Sequence, residues 1–133
     1  MSPVALASGV AAAVAVVASS RAAGFDRDRS FYPTGLVVIA LLYVLFGVEA
    51  ATPTVTATES AVALAFVALA VAAFRRRSPT LLALGLALHG VFDLVHPAVL
   101  PASDAVPTWW PAFCLGVDGA LAVWVWARWP PAT

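Results

Sequence analysis

Seven side chains in this sequence could do chemistry, and their spacing groups most of them. His89, Asp93 and His96 stand together in His-Gly-Val-Phe-Asp-Leu-Val-His-Pro, while Cys114 and Asp118 are four positions apart further on. On a helix, positions 89, 93 and 96 fall at about 0°, 40° and −20°, so all three share one face. Cys114 and Asp118 share a second face by the same rule. Imidazole combined with carboxylate is a ligand set suited to a divalent metal ion, zinc or iron above all. The same groups could also relay protons, or satisfy one another as a hydrogen-bonded core network.

The remaining acids have local readings of their own. Glu59 closes Thr56-Ala-Thr-Glu59, a capping box in which the Glu reaches back to the cap's backbone N–H. Glu49 stands where a span would meet water, and Asp104 lies in a loop between prolines. Cys114 reads as a buried thiol, with metal ligation as its other role. The candidate metal set is therefore His89, Asp93, His96, Asp118 and Glu49, with Glu59 and Cys114 outlying. Four carboxylates and two imidazoles equal the donor count of a dinuclear site in a helical bundle, although the Glu-x-x-His spacing of the ferritin-like group is absent.

These groups sit in a chain built for lipid. Of 133 residues, 62% are hydrophobic and 11% charged, where a soluble domain carries about 25% charged residues. The expected fold is all-α: one integral membrane bundle of five transmembrane helices over approximately residues 2–19, 31–51, 57–74, 79–96 and 108–127, each just long enough for a bilayer. The first segment lacks the basic flank of a signal peptide and is read as a retained span. Thr52-Pro53 breaks the chain, Pro97 should stop the fourth span at His96, and Pro130-Pro131 should close the fifth. No lysine is present, which excludes a lysine Schiff base or nucleophile, and a single cysteine excludes an intramolecular disulfide. A net charge of zero argues against nucleic acid as a partner.

The arginines set an orientation. Arg21, Arg27 and Arg29 lie between spans one and two, Arg75, Arg76 and Arg77 between three and four, and Arg128 after five. By the positive-inside rule these places face the cytoplasm, so the N-terminus lies outside and the C-terminus inside the plasma membrane. Asp26 and Asp28 accompany the arginines. The other five acids map to the outer half or the midplane, where no arginine can pair with them. An ionised Asp at a helix centre costs about 2.5–3.5 kcal/mol on insertion scales. Asp93 and Asp118 must therefore be protonated, paired with imidazolium, or neutralised by a bound cation.

Four motifs carry a resemblance: Asp28-Arg-Ser-Phe-Tyr-Pro33, Tyr43-Val-Leu-Phe46, His89-Gly-x-x-Asp93-x-x-His96-Pro97, and Val106-Pro-x-Trp-Trp-Pro-x-Phe-Cys114-x-x-x-Asp118. With them the chain resembles a family of small bacterial multi-spanning membrane proteins with no known activity. The resemblance covers spans two, four and five and implies a grouping of motifs, not a chemistry.

The functional expectation is a membrane-embedded metal-binding protein whose site would act on a lipid-soluble substrate. A proton or metal-cation transporter is the second reading, although polar groups stop near the midplane where a conduit needs them throughout. A structural subunit or homo-oligomer is the third. It would dock through the small-residue face Ala5, Gly9, Ala13 of span one and through the Ala-rich span three.

Overall fold

The computed structural model describes residues 1–101 and 103–129. It is all-α, with α1 (Pro3–Ala23), α2 (Phe31–Glu49), α3 (Pro53–Arg75), α4 (Pro79–Val99) and α5 (Trp110–Arg128), plus one 3-10 turn at Phe25–Arg27. All five helices are long and apolar enough to cross a membrane. At about 1.5 Å per residue they measure about 28–35 Å.

Local chemistry explains the ends. Pro3, Pro53 and Pro79 each open a helix, where a missing N–H costs nothing and the fixed φ favours the first turn. Ser2 and Ser78 cap two of those starts by accepting from Ala5 N (3.2 Å) and Leu81 N (3.0 Å). Three helices end on a left-handed residue. Gly24 (φ 83°) takes that conformation freely, whereas Ala51 (φ 53°) and Arg77 (φ 50°) take it against their Cβ atoms.

Several expected boundaries move. Gly24 caps α1 after Ala23, four residues past the expected end. The second span ends at Glu49, two residues short, and the fifth opens at Trp110, two residues late. The third starts at Pro53 rather than 57, because Thr52 with Pro53 forms a helix start and not merely a break. Pro97 does not stop α4, which runs on to Val99, with Leu100 N bonded to His96 O at 3.1 Å. In this last turn proline removes one bond only, the one its N–H would return to the Asp93 carbonyl. Pro130 and Pro131, expected to close the fifth span, lie outside the described residues.

The helices pack in the order α1, α5, α4, with the α2–α3 hairpin completing the bundle against α4. The α1–α5 contact is close because two glycines remove the side chains there. A Cβ on Gly9 would stand 2.0 Å from the Phe113 carbonyl oxygen, and one on Gly116 would stand 2.3 Å from that of Leu6. Ala5, Gly9 and Ala13 are all buried in this contact. The small-residue face expected to serve homo-oligomer docking is thus used within the chain. On α3 the row Ala57, Ala61, Ala65, Ala68 does face outward.

The arginine-bearing connections gather at one end. Trp129 Nε1 donates to Asp26 O at 2.8 Å, tying the end of α5 to the α1–α2 link, and Arg29, Arg77 and Trp129 line one hollow there. Above it, Leu36, Ala70, Ala73, Leu82, Leu86, Leu121 and Val125 fill the bundle as a continuous apolar plug. The polar side chains lie beyond that plug, towards the other end.

Candidate functional site

The buried face of α4 reads Leu82, Leu86, His89, Asp93, His96, spaced by three or four residues so that all point into the bundle. The face is apolar at its start and ionisable from its middle onward. Gly90, beside His89, lets α5 approach: a Cβ there would already sit 3.3 Å from Asp118 Cβ. Gly119, beside Asp118, makes no such contact, so the close approach uses Gly90 alone.

Across this contact His89 Nδ1 lies 2.8 Å from Asp118 Oδ2 and 3.3 Å from Asp93 Oδ2. Both neighbours are carboxylates, so Nδ1 donates to Asp118 while it holds a proton, and a cation bound among the three would stand in that proton's place. All three residues are buried, at 1% or less exposure. One ligand atom from each lies within 4.8 Å of the other two. The cluster is also short of partners: His89 Nε2, both oxygens of Asp93 and Asp118 Oδ1 are buried without a hydrogen bond. Polar groups out of water normally have one, and leaving such a group unpaired costs about 1–3 kcal/mol.

A second polar pair sits one to two turns further along α4. His96 Nε2 is hydrogen-bonded to Glu59 Oε1 across the α3–α4 contact, with both residues 2% exposed. Tyr43 of α2 stacks on His96 at 4.3 Å between ring centroids. Its hydroxyl and Glu59 Oε2 are again buried and unpartnered. Phe92 meets His96 edge-on at 5.1 Å and Phe66 meets His89 at 4.7 Å, walling both imidazoles with aromatic rings.

The expected site residues therefore divide. His89, Asp93 and Asp118 come together. His96, expected as a fourth ligand beside them, is taken by Glu59 instead. Glu59 is not a capping-box residue, since α3 begins a turn earlier and buries it. Glu49 is exposed at the last residue of α2 and joins neither group. Cys114 is buried one turn above Asp118 on the same face of α5 but lies outside the cluster of three. Asp104 is an exposed loop residue. Phe66 and Phe92 were not anticipated; Phe92 could have been suspected beside Asp93, whereas nothing in the spacing of Phe66 points to His89.

No arginine makes an ion pair with any of these acids among the described residues, where the close acid–base contacts all involve histidine. At this end of the bundle the α4–α5 connection reaches back to α2. Ser103 is buried and donates through Oγ to the Phe46 carbonyl at 3.0 Å, a second bond to an oxygen that already accepts from Ala50 N in the last turn of α2.

Compared with protein families, curated proteins and solved structures, the chain matches none of them.

Proposed function

We propose that this chain is a multi-pass protein of the plasma membrane, N-terminus outside and C-terminus in the cytoplasm, that holds a divalent metal ion at His89, Asp93 and Asp118. Zinc or iron suits the donor set of one imidazole and two carboxylates. The carrying observation is the convergence of three buried donors from two helices within 4.8 Å, with most of their remaining polar atoms unpartnered.

Charge balance supports the same reading. Two carboxylates with a neutral imidazole are neutralised by one divalent cation, and the Glu59–His96 pair balances itself when the imidazole is protonated. Such an ion would act as a Lewis acid on water or on a substrate carbonyl. Burial between hydrocarbon-facing helices suits a lipid-soluble substrate. The Glu59–His96 pair and Tyr43 stand between the three donors and the outer end, so they border the approach to the ion.

The transport reading is less well supported. A conduit would have to cross the inner half, where Leu36, Leu82, Leu86 and Val125 are each at most 1% exposed and packed together. A cup closed on the cytoplasmic side fits better than a pore.

Elemental analysis of the full chain, purified in detergent without chelator, tests the proposal. About one zinc or iron per chain is expected, lost in His89→Ala. A wild-type chain that is metal-free and takes up neither ion on titration would end the metal reading.

A further inference from the structure

At the arginine-bearing end, a groove separates the start of α2 from the end of α3. Pro33, Thr34 and Val37 form one wall and Ala70, Val71 and Phe74 the other, around a volume of about 170 Å³. Its end joins the hollow that Arg29 and Arg77 line, since Pro33 and Phe74 border both. An apolar slot thus runs into a cationic corner.

Both cations are set in place by features local folding does not require. The Arg29 guanidinium lies over the Phe74 ring at 4.7 Å from its centroid, an attraction that fixes the charge at the mouth of the slot. Arg77 occupies the left-handed position that ends α3 (φ 50°), where glycine is the relaxed residue and any other costs about 1–2 kcal/mol. Neither arginine makes an ion pair among the described residues.

Asp28, the acid nearest in sequence to Arg29, is engaged elsewhere. Its Oδ1 accepts from Ser30 N at 2.8 Å and from Ser30 Oγ at 2.7 Å. These bonds hold its carboxyl below the usual carboxylate range. It remains an anion tied to the turn.

We propose that this corner binds an anionic phospholipid, its phosphate between Arg29 and Arg77 and an acyl chain along Val37, Val71 and Phe74. Charge complementarity selects the headgroup, because two cations facing a membrane surface call for an anionic lipid rather than a zwitterionic one. The apolar slot selects a lipid over a soluble phosphate. The inference rests on the reading that the helices cross a membrane, and not on the metal site.

The test uses the full chain reconstituted with equal amounts of phosphatidylglycerol and phosphatidylcholine, then extracted in detergent, with retained lipid measured by mass spectrometry. Wild type retains phosphatidylglycerol preferentially. Arg29→Gln and Arg77→Gly each reduce that preference about five-fold, the effect of one basic residue near a membrane surface, while Arg21→Gln, whose guanidinium lies over Trp124 of α5 and lines neither hollow, leaves it intact. Arg77→Gly relaxes the backbone, so its loss cannot be assigned to misfolding. Inorganic phosphate does not compete.

Equal retention of the two lipids, unchanged preference in both variants, or displacement by phosphate overturns the site while leaving membrane insertion standing. Recovery of the chain in the alkali-soluble fraction of cell membranes overturns both.

Discussion

His89 and Asp118 meet at 2.8 Å across the α4–α5 contact, beside the glycine that lets the two helices close. Asp93, on the same helix as His89, stays at 3.3 Å and makes no hydrogen bond of its own. The two carboxylates therefore differ in what their removal leaves behind. Asp118→Asn keeps shape but weakens the group that orients the imidazole, and should lower zinc affinity by at least about ten- to a hundred-fold. Asp93→Asn should reduce affinity without loosening the histidine. Zinc titration followed by NMR of the His89 ring separates the two; equal behaviour of both variants with zinc affinity retained would remove them from the site.

The Glu59–His96 pair should behave as a unit. Both residues are 2% exposed, and breaking a buried pair from one side leaves an uncompensated group costing about 3–5 kcal/mol. Glu59→Ala and His96→Ala should each destabilise by about that much. The double variant should lose clearly less than their sum. Unfolding in mixed micelles reads this directly, and additive losses would mean that the two side chains do not depend on each other.

The glycines divide by what surrounds them. Ala at Gly9 or Gly116 drives a Cβ into a facing backbone oxygen and should cost about 1–3 kcal/mol or more, by overpacking. Ala at Gly119, where a Cβ meets nothing within 4 Å, should be neutral or stabilise by up to about 1 kcal/mol through helix propensity. Comparable losses at all three positions would argue against the α1–α5 contact described above.

Ala51 offers a stabilising substitution. It takes φ 53° between α2 and α3, so Ala51→Gly should stabilise by about 1 kcal/mol by removing a Cβ clash with the carbonyl. A higher melting temperature with unchanged helical content is the expected result; a lower one would mean that the turn is not left-handed.

Much of the fold was legible in the sequence because local chemistry determines it. Proline at the first helical position, runs of Ala, Val and Leu, and arginines in alternate connections mark five helices and their ends. Pro97 misled because the rule that proline ends a helix weighs little in a final turn. Partner choice was less legible. Positions 89, 93 and 96 share a face on any helix, yet His96 pairs with Glu59, 37 positions away, because α3 starts early enough to bring that carboxylate to its level. Glu59 matched a local capping motif, and its partner in space could not be read from spacing. Asp118 was legible because its depth, counted from the end of its helix, matches that of His89.

That depth has an electrical consequence. Asp118 lies eight residues into α5, about 12 Å from the end that the proposed orientation turns outward, on a helix about 28 Å long. A divalent ion reaching it from outside would cross nearly half of the field of an inside-negative membrane. At about 2.3 kcal/mol per charge per 100 mV, this favours entry by about 2 kcal/mol, or about thirty-fold in occupancy. Exchange against two protons from the carboxylates would instead move no net charge, so the response of metal occupancy to voltage would read whether the empty site is ionised or protonated.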